Sequence, residues 1–254
     1  MLSMVRHGVS HGQQPINSQA KERYPIIDPI TLTAADGHQL AAYVARPLEK
    51  PKAAVVVLQE IFGVNSHIQS VADRYAAEGF LAIAPAMFDR VRTGVALGYT
   101  GPDMDQGRQL KAEVEALKPA AALADVGAAV AYAASQCGGK VGVVGYCWGG
   151  LLTWRAAAEV KGVAAAVAYY GGGMTAGTEP ARQPHCPTMA HFGAHDAHIP
   201  LDGVHAFAHQ HPGVEVHIYQ ADHGFNCDAR GSYDATAAKL ASERTLAFFK
   251  QHLA

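Results

Sequence analysis

Cys147 has the setting of an activated nucleophile. The apolar run Val141-Gly142-Val143-Val144 passes straight into Gly145-Tyr146-Cys147-Trp148-Gly149-Gly150, and a helical pattern starts at once. Gly-x-Cys-x-Gly between a strand and a helix is the layout of a nucleophile elbow with a thiol at its apex. The turn is so tight that a Cβ at Gly145 or Gly149 would strike neighbouring backbone. The apex residue is held strained, with its side chain above the sheet. The N-terminus of the new helix favours a thiolate and, later, an oxyanion. The competing explanation is a packing cysteine after a glycine-rich turn, since free Cys is often simply core.

A thiol nucleophile needs a base, and the base needs an orienter. His223, in Ala221-Asp222-His223-Gly224, and Asp196, in Gly193-Ala194-His195-Asp196, each follow an apolar segment. Asp222 adjoins His223 and competes with Asp196 as orienter. Asp196 is favoured because adjacent side chains in an extended segment point to opposite sides. Asp202 belongs near a helix start. His191, His195 and His198, or the i, i+4 pair His205 and His209, raise the question of a metal. They lack a third ligand on the same element or a His-Glu-x-x-His frame, so neither metal nor cofactor is expected.

The elements that must position these groups alternate between strand and helix. Ile27 to Val44 reads as a hairpin around Ala35-Asp36-Gly37-His38. Ala53 to Leu58 is a continuous apolar run, hence a strand buried on both faces. A helix capped by Asn65 or Ser66 reaches Glu78, and Phe80 to Ala84 is the next strand. A long irregular stretch runs from Pro85 to about Pro102. Helical patterns cover Met104 to Leu117 and, after Pro119, an Ala-rich stretch to about Ser135. Lys140 to Gly145, Val163 to Tyr170, Pro187 to Phe192 and Val214 to Tyr219 read as strands. Leu151 to Val160, Leu201 to His209 and Tyr233 to Leu253 read as helices.

This order predicts an α/β fold: a mostly parallel sheet with helices on both faces and an N-terminal antiparallel hairpin. Ligands bind beyond the C-terminal strand ends of such sheets. Glu60, Arg90, Cys147, Asp196 and His223 all fall just after strands, so the topology brings them to one edge. The order Cys147, Asp196, His223 is the nucleophile–acid–His order of α/β-hydrolases.

Residues 1–25 are polar and read as an extension, with one domain over residues 26–254. The chain's 254 residues, 49% of them apolar, are enough for a sizeable core. A net charge of −2 gives no case for nucleic acid or an anionic membrane surface. No apolar run is long enough to span a bilayer, and residues 1–24 lack the apolar region of a secretory signal. Cys137, Cys147, Cys186 and Cys227 are scattered without a C-x-x-C, which fits a reducing cytoplasm.

The chain resembles the dienelactone hydrolases (carboxymethylenebutenolidases) of the α/β-hydrolase superfamily from about residue 26 to 252. The resemblance rests on Gln59-Glu60-Ile61-Phe62-Gly63-Val64-Asn65, Gly145-Tyr146-Cys147-Trp148-Gly149-Gly150, His195-Asp196-Ala197-His198-Ile199-Pro200 and His223-Gly224-Phe225. It implies that Cys147 attacks a lactone carbonyl, with His223 as base held by Asp196. Glu60 holds the resting thiol until substrate rearranges the site. The backbone N–H groups of Ile61 and Trp148 form the oxyanion hole.

A substrate carboxylate in this family is clamped by two arginines. Arg90 matches the first, but the second position is occupied by Cys227, with Arg230 nearby and out of register. That departure weakens the case for dienelactone itself and leaves the hydrolase chemistry intact. Trp148, Phe62 and Phe225 either line an apolar pocket or belong to the core, and Cys227 is either pocket wall or bystander. The reading is a hydrolase of a small-molecule lactone or activated ester, acting through a thioester on Cys147. The alternatives are a general thiol-dependent carboxylesterase or thioesterase, or a non-catalytic ligand-binding protein on the same fold. The oligomeric state is not legible.

Overall fold

A computed structural model describes residues 29–118 and 120–254. The proposed N-terminal extension, the start of the hairpin segment at Ile27 and the helix-breaking Pro119 lie outside the described residues. Eight strands form one sheet in the order β1-β2-β4-β3-β5-β6-β7-β8. They are β1 (Ile30–Thr33), β2 (Gln39–Ala45), β3 (Ala54–Leu58), β4 (Leu81–Pro85), β5 (Val141–Tyr146), β6 (Val163–Tyr169), β7 (Thr188–Gly193) and β8 (Val214–Tyr219). β1 pairs with β2 and β2 with β4 in antiparallel fashion, and every other pairing is parallel.

β3, β4 and β5 carry no polar alternation, and all their residues are buried, because helices cover both faces. The helices are α1 (Ser66–Ala77), α2 (Gly101–Glu115), α3 (Ala121–Cys137), α4 (Trp148–Glu159), α5 (Leu201–Gln210) and α6 (Ala235–Leu253). α1 and α6 share one face, where the Tyr75 and Phe80 rings meet Phe249. α3 and α4 pack together on the other face. Asn65 caps α1 by accepting from the Ile68 N–H at 3.2 Å. α2 starts at Gly101, three residues before the Met104 boundary suggested by its pattern. A Thr100–Asp103 capping box holds that extra turn.

β3 is flanked by β4 on one side and β5 on the other. After β4 the chain crosses back to the far side of β3, so a crevice opens between the C-terminal ends of β3 and β5. Glu60 follows β3 and Cys147 follows β5. The long stretch after β4 does not stand free. Gly63 bridges Ala96, Leu97 N–H donates to the Phe62 carbonyl at 2.8 Å, and the Asn65 amide reaches the Leu97 carbonyl and the Tyr99 hydroxyl.

Candidate active site

Cys147 sits between β5 and α4 with φ 54 and ψ −113, a conformation strongly disfavoured for a side chain other than Gly. Its backbone N–H is tied to the Tyr169 carbonyl at 3.0 Å. A Cβ at Gly145 would run into the Gly149 carbonyl, and one at Gly149 would run into the carbonyls of Leu58 and Gln59. The two glycines therefore let the elbow close against β3. Trp148 is the first residue of α4, so its N–H has no acceptor within the helix.

His223 follows β8, and its Nδ1 lies 2.7 Å from Asp196 Oδ2. Asp196 is buried, and its other oxygen accepts from the His198 N–H at 2.8 Å. Asp222 is exposed. With Nδ1 engaged, Nε2 is the ring nitrogen left free, and Cys147 and His223 line the same cleft. Burial by itself would disfavour the imidazolium. The Asp196 hydrogen bond and the negative charge of Asp196 and Cys147 outweigh it and lift His223 to about 10.

A cleft of about 330 Å³ opens over these groups, lined by Cys147, His223, His198, Ile61, Phe62 and Arg230. Gly172 and Gly173 complete one wall, and Met104, Arg108 and Lys111 from one face of α2 complete another. Every charged side chain of the lining is basic, which suits an anionic ligand.

Glu60 lies beneath the cleft, 1% exposed. Its Oε1 accepts from Arg230 at 3.1 Å, while its Oε2 is buried without a protein partner. Arg230 also lies over the Phe62 ring at 5.8 Å. Gly224 has a φ of 81, which L side chains rarely adopt, and a Cβ there would also push against the Arg230 guanidinium.

Three expected substrate-binding residues lie elsewhere. Arg90 does not face the cleft. It pairs with the buried carboxylate of Asp125 through two bonds of 2.7 and 2.8 Å, and with Asp36. Its bidentate capacity is thereby used within the fold. Phe225 is fully buried against Tyr170 and Tyr219, and so belongs to the core. Cys227 is also fully buried, and burial together with the nearby Glu60 charge pushes its thiol up to about 11. Phe62 does line the cleft. The Trp148 side chain is buried and stacked on Phe88 at 5.1 Å.

Sequence reasoning missed Arg230 as a cleft residue, and it missed the α2 wall. The spacing Met104, Arg108, Lys111 marks one helix face, but periodicity does not say what that face looks onto. Among the described residues, no group of three His, Cys, Asp or Glu side chains converges as a metal site requires.

Comparison with known proteins gives the family of the chain. The model of the dienelactone hydrolase family matches residues 40–253. A Pseudomonas putida carboxymethylenebutenolidase is 34% identical over 225 residues, covering 86% of this chain and 94% of its own length. A Synechocystis protein provisionally given the same name is 35% identical over 232 residues, covering 85% and 93%. A crystal structure from Klebsiella pneumoniae, provisionally described as a dienelactone hydrolase, matches with a TM-score of 0.75 at 32% identity, over 89% of this chain and 100% of the other. The chain therefore belongs to the dienelactone hydrolase family of α/β-hydrolases.

Proposed function

We propose that the chain hydrolyses a small lactone or activated ester through a thioester on Cys147. The observation that carries this reading is the Cys147 elbow facing a His223–Asp196 pair at 2.7 Å in one cleft. The Cys147 thiolate attacks the carbonyl carbon, and negative charge builds on the carbonyl oxygen. The N–H groups of Ile61 and Trp148 receive that charge. As the C–O bond breaks, the His223 imidazolium gives its proton to the leaving oxygen. Water then loses a proton to His223, attacks the thioester and releases the acid and the thiol.

Glu60 is the second carboxylate of this reading. Its unpartnered Oε2 is the atom suited to hold the thiol proton in the resting enzyme. Arg230, with Arg108 and Lys111 at the rim, gives the cleft its preference for a substrate bearing a carboxylate. The commitment of Arg90 to Asp125 removes one arm of a two-arginine clamp. That observation favours a broader esterase or thioesterase over an enzyme restricted to dienelactone.

The test is steady-state hydrolysis of a dienelactone beside p-nitrophenyl acetate, for wild type and Cys147→Ala. Turnover of at least one substrate, lost by a factor of about 10⁴ or more in the variant, is expected. A higher kcat/KM on the lactone assigns it as the preferred class, whereas activity on the neutral ester alone supports the broader esterase. Turnover that survives Cys147→Ala would overturn the thioester.

A further inference from the structure

α2 touches both halves of the oxyanion hole assigned above. At its middle, Gly107 is buried against the backbone of Ile61, so that a Cβ there would drive into the Ile61 carbonyl oxygen. At its end, Glu115 accepts a hydrogen bond from the Trp148 indole Nε1 at 2.8 Å. Ile61 and Trp148 are the residues whose N–H groups face the developing oxyanion. The two contacts lie eight residues apart on a rigid helix, about 12 Å along its axis.

The Glu115 carboxylate is itself fixed. Arg155, two turns into the nucleophile helix α4, donates to both of its oxygens at 2.9 Å. Arg155 also pairs with Glu179 at 2.9 Å, and Glu179 with Arg182 at 2.6 Å. Burial alone would raise the Glu115 carboxyl, but the indole and the Arg155 guanidinium hold it below the usual carboxylate range. On its other side the Trp148 ring stacks on Phe88, with 10° between the planes. The indole is thus held between an aromatic face and an ionised acceptor, and its backbone N–H is fixed with it.

We propose that Glu115 is a positioning residue, and that α2 acts as a spacer setting the separation of the Ile61 and Trp148 N–H groups through Gly107 and Glu115. The inference rests on the thioester reading of the previous subsection. Glu115 touches neither substrate nor thiol, so its effect passes through the indole. An oxyanion hole serves acyl transfer but not direct alkylation of the thiolate, which develops no oxyanion. A displaced hole therefore slows ester turnover and spares alkylation.

The experiment compares wild type, Glu115→Ala, Glu115→Gln and Trp148→Phe in p-nitrophenyl acetate hydrolysis. The rate of Cys147 alkylation by iodoacetamide is measured in parallel. Glu115→Ala and Trp148→Phe are each expected to lower kcat by about 10- to 100-fold with little change in KM. Their alkylation rates should stay within about twofold of wild type. Glu115→Gln keeps an acceptor for the indole and should recover most of the loss. The double variant Glu115→Ala/Trp148→Phe should fall little further than either single one, because both remove the same bond.

Unchanged kcat in Trp148→Phe, or an equal loss in hydrolysis and alkylation, would overturn the spacer role. Trp148→Phe keeps the aromatic stacking, so it decides the matter if Glu115→Ala fails to fold. Cys147→Ala is run alongside. Turnover persisting there would mark failure of the thioester reading, a result separate from any outcome at Glu115.

Discussion

His223 is held by Asp196 on Nδ1, and the negative charge of Asp196 and of nearby Cys147 lifts it to about 10 against the opposing effect of burial. Its folded value lies above the ordinary value of about 6.5. The stabilisation that accompanies the bound proton is therefore complete below pH ~6.5 and lost as pH rises through about 10. In the proposed mechanism catalysis follows the same proton, because the imidazolium protonates the leaving oxygen. The kcat/KM profile for p-nitrophenyl acetate should be flat through neutral pH and fall on an alkaline limb near 10. Asp196→Asn removes the carboxylate that raises the imidazole. That limb should then move to lower pH, and kcat should drop by a factor of about 10²–10⁴. An alkaline limb unmoved by Asp196→Asn in the pH–rate profile would sink the assignment of Asp196 as orienter.

Elements decide what Arg90 does. It follows β4, reaches Asp125 in α3, and also reaches Asp36 in the turn between β1 and β2. His38 from the same turn joins Asp125 at 3.0 Å. One arginine thus fastens the edge hairpin and α3 to the end of β4. Asp125 is 0% exposed, so losing its main partner leaves a buried carboxylate poorly compensated. Arg90→Ala should cost about 3–5 kcal/mol in urea unfolding. The ratio of kcat/KM between an anionic ester and a neutral ester should stay unchanged. A selective rise of KM for the anionic ester in this variant would return Arg90 to the substrate.

At the scale of the molecule, α6 is fastened to the sheet by a buried polar cluster. His191 in β7 bonds Tyr219 at 2.9 Å and Thr245 at 3.0 Å, and Thr245 bonds Tyr169 at 2.6 Å. Burial, together with nearby His217 and Arg244, drives His191 well below its ordinary value. In the unfolded chain it takes a proton below about pH 6.5, and in the fold it does not. The unfolded state then binds more protons, so stability falls as pH drops below ~6.5, by up to about 1.4 kcal/mol per pH unit for this one group. Urea midpoints at pH 7 and pH 5 should show this loss, and His191→Asn should reduce it. An equal pH dependence in the variant would assign the loss to other groups.

The order of elements, the elbow and the sequence of Cys147, Asp196 and His223 are local or topological properties. Apolar runs without alternation mark buried parallel strands, and a chain that alternates strand and helix brings the residues after those strands to one edge. That much was decided before any contact formed. The direction of a side chain after a strand is another matter, because it depends on which neighbour offers the better partner. The resemblance implies a substrate contact at Arg90, yet its side chain turns to Asp36 and Asp125, about 35 residues or more away in the chain. Arg230, out of register with the motif, reaches the cleft because Gly224 leaves space for its guanidinium and Glu60 waits below. The inward face of α2, and with it the contacts of Gly107 with Ile61 and of Glu115 with Trp148, depends on how that helix lies across the Ile61 loop and α4. No periodicity within the sequence of α2 encodes that placement, so only the packing of the whole molecule decided it.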